Sequence, residues 1–365
     1  MRKRLYELLR CPSCVVPLDL DVYEARDDET VEGALRCPRC GAAYPIIDHI
    51  PRMLPEDLAG EMRALNQGFF ARHPDLLSRA QKGDGNSESA RALKRTFRSF
   101  SFQWNAFGDM YGFWEDNFLD YVEPLTPEFF EGKLGCDAGC GFGRHLRYAV
   151  EYGAEVVGLD LSEAVLAAYR NTRDNPRAHV VQGDIYRPPF APKTFDFLYS
   201  IGVLHHLPDP VAGFCSLVRY VKPGGRLFAW VYGPRGGVSE SVTRTLRRAT
   251  TRMDYRLLRA LCVALAVGLR LFSHYPYRLL SKVPALAGLA QRLPIHDHHR
   301  YPFRVVVADA FDRLSVPLVR YYSRDELRRW CESTGLVDPQ IRRRFRNNES
   351  WRVLGTVPAP GAARG

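Results

Sequence analysis

Long apolar runs are missing from this chain of 365 residues. No stretch of about 18 uninterrupted apolar residues occurs, and the basic opening MRKRLYELLRCPSC has no apolar segment behind it. Neither a spanning helix nor a secretory leader is read from the sequence, and a cytoplasmic protein is expected. Cysteine is too sparse for a disulfide framework: of nine, four stand in two C-x-x-C pairs and five are scattered, which fits a reducing compartment. The glycine-rich stretch CDAGCGFGRH, residues 136–145, lacks the signatures of two common cofactors. Gly139, Gly141 and Gly143 read G-x-G-x-G where a dinucleotide fingerprint is G-x-G-x-x-G, and no Lys-Ser/Thr follows as in a P-loop. On pattern a nucleoside ligand without phosphates remains.

What is abundant is positive charge, and it is unevenly placed. The net charge is +10, yet residues 235–350 alone hold 22 Lys and Arg against 10 Asp and Glu, so the basic character belongs to the last third. Such a surface suits an anionic partner: a phosphorylated or lipid-linked substrate, a membrane surface, or RNA. Arginine-rich helix faces in solvent give the same count.

The two cysteine pairs, Cys11-Pro-Ser-Cys14 and Cys37-Pro-Arg-Cys40, are separated by 22 residues. Two C-P-x-C knuckles bring four thiolates to one tetrahedral ion, so a structural zinc with no open position is expected on Cys11, Cys14, Cys37 and Cys40. The surrounding residues, Leu9, Leu35, Tyr44, Pro45, Ile46, Ile50, Pro51 and Leu54, resemble the zinc-ribbon family that includes the small activator subunit of tRNA- and protein-methylating enzymes. The resemblance covers about the first 55 residues. His49 stands where that family often has glycine.

From Leu134 onward the pattern is α/β. Apolar segments at 134–138, 154–160, 178–184, 195–200 and 226–233 alternate with helical stretches, which implies a parallel sheet wound on both faces, with ligands at the carboxyl ends of its strands. The glycine loop ends the first strand, Asp160 the second and Asp184 the third. Asp137 precedes the first glycine by two residues. A lone acidic residue at a strand end is commonly a helix cap; three in succession beside a glycine loop read as a nucleoside site.

CDAGCGFGR, VVGLDLSEAVLAAY, VVQGDIYRPPF, FDFLYSIGVLHHLPDP and VKPGGRLFAWVYG resemble, in order and spacing, the class I S-adenosylmethionine-dependent methyltransferases. The resemblance implies a Rossmann-like seven-stranded sheet and S-adenosylmethionine as cofactor. Asp137, Gly139, Gly141 and Gly143 would lie at the methionine portion, Asp160 with Leu161 at the ribose, Asp184 and Ile185 at the adenine, and Ser200 at the end of the fourth strand. Methyl transfer requires an aligned nucleophile and, for a hydroxyl, a base. His205 and His206 follow the fourth strand and are the candidates, His205 marginally ahead; packing is the alternative role for both.

Five regions are expected: a zinc ribbon (1–55), a helical linker with an aromatic segment that closes as a lid or packs in the core (56–125), the first part of the catalytic core (126–233), a helical cap (234–322), and the last helix and strands (323–358). SRDELRRWCESTGL carries a helix's start and stop signals. Residues 243–272 pair arginines with a strongly apolar helix that serves as a cap or makes peripheral membrane contact. HDHH, residues 296–299, is expected to be a polar loop. The reading reached is methyl transfer to a small-molecule or glycan acceptor, most simply on oxygen in a biosynthetic pathway, because the fourth strand lacks the Asn/Asp-Pro-Pro-aromatic turn of base-amine methylases. The alternative is an RNA base methyltransferase that uses the ribbon and the basic last third for recognition.

Overall fold

The computed structural model describes residues 1–77, 88–234, 238–344 and 350–359. Of the expected linker KGDGNSES, residues 82–87 lie outside the described residues, and its last two open the helix Glu88–Phe107. The chain divides into two compact units, Met1–Arg235 with Leu318–Gly365, and Gly236–Pro317.

In the first unit, strands β5 (Leu134–Ala138), β6 (Glu155–Asp160), β7 (Ala178–Gly183), β8 (Phe195–Ile201) and β9 (Val221–Tyr232) run parallel, and β10 (Val337–Arg343) and β11 (Ser350–Thr356) close the far edge antiparallel. Helices cover both faces, so β7 is buried along its whole length, its polar His179 and Gln182 included. The order β7-β6-β5-β8-β9-β11-β10 reverses direction at β5, which opens the crevice for a ligand above β5 and β8.

The expected sheet has seven strands; the observed one has eleven. The ribbon forms an antiparallel meander of β1 (Asp19–Arg26), β2 (Glu29–Arg36), β3 (Ala43–Ile47) and β4 (Ile50–Met53), and β4 pairs in parallel with β7, Arg52 opposite Gln182 and Met53 opposite Gly183. The edge that β7 would otherwise expose is thereby covered. The hairpin between β3 and β4 turns on Asp48 and His49, with φ of 50° and 67°, the two positive angles of a type I′ turn. His49 meets this demand in place of glycine, and its ring stacks on Tyr169 at 5.3 Å.

After β9 and the second unit, the helix Arg324–Thr334 starts on a full capping box between Ser323 and Glu326 and stops at Gly335 with φ 69°. The second unit is helical. Asp254 caps Tyr255–Leu269 by accepting from the amides of Arg256 and Leu257, and the helix continues through Arg270–His274 into Tyr275–Leu280. Leu258, Cys262 and Ala266 are buried where it packs on Phe303–Ser315.

Candidate active site

The glycine loop rises from the end of β5 with Gly139, Gly141 and Gly143 at φ of 88°, 53° and 83°. All three occupy the left-handed region that side chains disfavour. Close packing adds a second reason: a Cβ on Gly139 would lie 2.3 Å from Val203, and one on Gly143 would lie 3.0 Å from the backbone of Ala168. Gly141 faces the indole of Trp104. Gly143 precedes the helix Arg144–Glu151, whose N-terminus faces the same crevice.

The three strand-end carboxylates surround this loop. Asp160 accepts from the Gly141 amide at 2.8 Å on Oδ2 and from the Ser162 amide and hydroxyl at 2.8 and 2.7 Å on Oδ1, so it fixes the loop while one lone pair of Oδ2 remains. Asp184 accepts from the Tyr186 amide at 2.9 Å beside the buried Ile185. Asp137 is 1% exposed, and one of its oxygens has no hydrogen-bond partner. Burial raises the pKa of all three, and for Asp137 the nearby Asp160 adds to the rise. Three carboxyls with little solvent suit a ligand that carries its own positive charge and a pair of ribose hydroxyls, as S-adenosylmethionine does. Leu161 lends its carbonyl to Gln182 at 3.1 Å. Ser200 is fully buried, and its hydroxyl donates to the Ala138 carbonyl at 2.8 Å, so it ties β8 to β5 beneath the loop.

His205 and His206 lie in a short turn after β8 and are both buried. The Nδ1 of His206 donates to the Leu318 carbonyl at 2.8 Å, which puts the lone pair of the neutral ring on Nε2. His205 packs against Tyr232 with ring centres 4.0 Å apart, and its carbonyl accepts from Arg320. Phe100 approaches His206 at 5.5 Å, and Tyr321 stacks on Tyr232 at 6.0 Å. The aromatic segment therefore divides its residues: Phe97, Ser99, Gln103 and Phe107 are buried, while Phe100 and Trp104 are half-buried beside the site. Phe100 belongs to the segment read as a lid or as core packing; Tyr232 and Tyr321 were not legible as site residues, since nothing in their local sequence separates them from core aromatics.

In the ribbon the four cysteine sulfurs lie within 4.8 Å of one another, and no other such cluster of metal-ligating side chains occurs among the described residues. The two knuckles have the same bonding: the Cys11 amide donates to Val16 and the Val15 amide to Cys11, as the Cys37 amide donates to Ala42 and the Gly41 amide to Cys37. Without a cation the Cys14 thiol is pushed up to about 12 by its hydrogen bond with Cys40, then by desolvation and the nearby Cys11. A dication reverses that shift, and four sulfurs at these spacings fit tetrahedral zinc. HDHH forms a turn, with His296 and His299 donating to the carbonyls of Leu293 and His296.

The junction between ribbon and core holds a group that no local motif announces. Arg52 on β4 is 1% exposed and donates at 2.9 Å to both Glu163 and Gln182. Gln182 in turn donates to Glu163 and to the Leu161 carbonyl. The ribbon thus anchors the loop that carries Asp160.

Residues 136–229 match the methyltransferase domain family and residues 2–48 the Trm112p-like protein family. The chain carries a methyltransferase domain joined to a Trm112p-like domain. Among curated relatives, the tRNA U34 carboxymethyltransferase of Aeromonas salmonicida is 32% identical over 142 residues, 38% of this chain and 42% of that protein. The ubiquinone biosynthesis O-methyltransferase of Pseudomonas fluorescens is 34% identical over 119 residues, 30% of this chain and 51% of that protein. A solved complex of the Haloferax volcanii Trm112 methyltransferase activator with a methyltransferase aligns at 17% identity and TM-score 0.42, over 73% of this chain and 97% of the matched one. The chain spans about half the length of the curated relatives it matches.

The relatives named tRNA U34 carboxymethyltransferase, together with the Trm112p-like match, overturn the expectation of small-molecule or glycan O-methylation. That expectation leaned on a missing turn after the fourth strand. The turn was tied to base-amine methylation, so its absence leaves other positions of RNA open.

Proposed function

We propose that this protein transfers a methyl group from S-adenosylmethionine to RNA, in the cytoplasm. The observation that carries the reading is the pairing of a Trm112p-like domain with a catalytic core whose relatives include tRNA-modifying enzymes. The basic last third supports it, because cationic side chains hold a phosphate backbone without regard to sequence.

S-adenosylmethionine, when bound, supplies a methyl carbon already activated by a positive sulfur. The chain's own residues hold and orient. Asp160 would receive a ribose hydroxyl, Asp184 and Ile185 would hold the adenine, and Asp137 beneath the glycine loop would offset the cofactor's positive charge. The half-buried rings of Phe100, Tyr232 and Tyr321 give an unpaired base a surface to stack on. Where the acceptor must lose a proton, Nε2 of His206 receives it, the other nitrogen being held by Leu318. This favours His206 over His205.

The test is incubation of the zinc-loaded protein and methyl-labelled cofactor with total RNA and, separately, with fractionated metabolites. Nuclease-sensitive label in RNA is the expected result. Label confined to a metabolite fraction would overturn the reading.

A further inference from the structure

The helix Tyr255–Leu280 is turned inside out. Its buried stripe holds Leu258, Cys262, Ala266, Ser273 and His274, most of them small or polar. The stripe beside it, Leu257, Leu261, Leu265, Phe272, Tyr275 and Leu279, recurs at helical spacing and is exposed, Phe272 at 77% and Leu279 at 68%, and Val263 and Val267 expose the far side as well. Val283, Leu286 and Leu289 extend this apolar surface beyond the helix. The helix is long and apolar enough to cross a membrane by length and composition, yet only 28% of its most apolar window is buried, so it is not a core helix. Between Asp254 and Asp297 the chain has six basic residues, Arg256, Arg259, Arg270, Arg278, Lys282 and Arg292, and no acidic one.

We propose that this face is a lipid-binding surface, which lays the helix into the interface of an anionic membrane. Exposed large apolar side chains flanked by cations, with no acid among them, match hydrocarbon below and anionic headgroups beside it. RNA would engage the arginines and leave the leucines in water. A second copy of the chain would set two stretches that hold cations and no acid between Asp254 and Asp297 against each other. The helix lies along the interface and does not span it, because its other stripe is fastened within the unit. Ser273 donates to the Pro294 carbonyl at 2.5 Å, His274 bonds the Ile295 carbonyl at 3.1 Å, and Arg270 donates to the carbonyls of His299 and Tyr301. The inference is independent of the methyl acceptor.

The experiment is co-sedimentation of the full-length protein with sucrose-loaded vesicles of phosphatidylcholine alone or with about one-third phosphatidylglycerol. The wild type is expected to sediment with the anionic vesicles, and the Phe272→Asp/Leu279→Asp double variant to lose about tenfold or more of that partition. Both side chains are exposed, so an unchanged melting temperature shows that the variant folds. Arg256→Ala/Arg259→Ala keeps the apolar face and is expected to weaken binding to anionic vesicles only. Wild type left in the supernatant, or a double variant that sediments equally, overturns the proposal. So does a wild-type dimer in vesicle-free solution that the double variant converts to monomer, which would assign the face to a second copy.

Discussion

The ribbon and the helical unit are both additions to a methyltransferase core, and they dispose of their apolar residues in opposite ways. The ribbon spends them inward. Leu5, Leu9, Leu35 and Ile46 share one buried cluster with Phe190, Phe195 and Leu198 of the catalytic core, and even its Arg52 is buried and paired. The helical unit keeps Cys262 and Ala266 inside and turns Phe272 and Leu279 out. Similar hydrophobic content therefore serves bracing in one region and a surface in the other, and what separates them is whether the neighbouring polypeptide covers the apolar face.

Metal removal should separate the two regions most sharply. A structural zinc contributes on the order of 10 kcal/mol or more to a small ribbon. Cys37→Ser, or a strong chelator, is expected to abolish hydrogen-exchange protection in residues 1–55 and weaken it in β7, the strand that β4 covers. Protection of Tyr255–Leu280 and Phe303–Ser315 should stay unchanged. Retention of protection in β7 would mean that the core does not use the ribbon as a brace.

Arg52 tests the same contrast at one side chain. Arg52→Met leaves Glu163 buried with its charge unpaired, for an expected loss of about 3–5 kcal/mol in denaturant melts. Adding Glu163→Leu should restore much of it. On the exposed face of the helical unit, Phe272→Asp should change stability by no more than about 0.5 kcal/mol.

The catalytic sheet was readable because its signals are local: apolar segments bounded by turns, glycines at fixed offsets, an acid near the end of each of the first three strands. The capping box at Ser323 and the cysteine knuckles are local too. What escaped depends on residues far apart in the chain. Nothing near Arg52 reveals that it meets Glu163, 111 positions later, and the parallel pairing of β4 with β7 carries no motif. Ser200 was assigned by position at a strand end, which does not say that its hydroxyl would turn toward Ala138. The helix at 255–280 was legible as basic and apolar; which of its stripes is buried was not, because small and large apolar residues alternate around it.

The strand-end acids provide a pH test in the braced half of the molecule. Burial raises the pKa values of Asp137, Asp160 and Asp184 above the ordinary carboxylate range, so in the free protein they keep protons at pH values where exposed acids have lost them. A cationic ligand favours the charged carboxylates, so binding expels protons. Affinity for S-adenosylmethionine should therefore fall as pH falls through those raised values, with proton release seen as a dependence of binding heat on buffer ionisation enthalpy. Asp160→Asn removes one of these charges and a partner of Gly141, and is expected to weaken cofactor binding by about 10–100-fold. Binding heats that do not change with buffer would mean that the carboxylates are already ionised.

A smaller effect, and one of opposite sign, lies inside the ribbon, between its two knuckles. Their hydrogen bonds correspond residue for residue, yet the fourth position after the first cysteine is Gly41 in one, at φ 71°, and Val15 in the other, at φ 58°. A β-branched residue is strained in that region by about 1–3 kcal/mol, while glycine adds about 0.5–1 kcal/mol of unfolded-state entropy. Val15 is 44% exposed, so little packing is lost on its removal. Val15→Gly should therefore stabilise the ribbon by about 1 kcal/mol and raise its zinc affinity about fivefold in chelator competition, because the strain opposes the folded, metal-holding state. A loss of zinc affinity would instead show that the valine side chain, though half in solvent, contributes more by contact than its backbone angle costs.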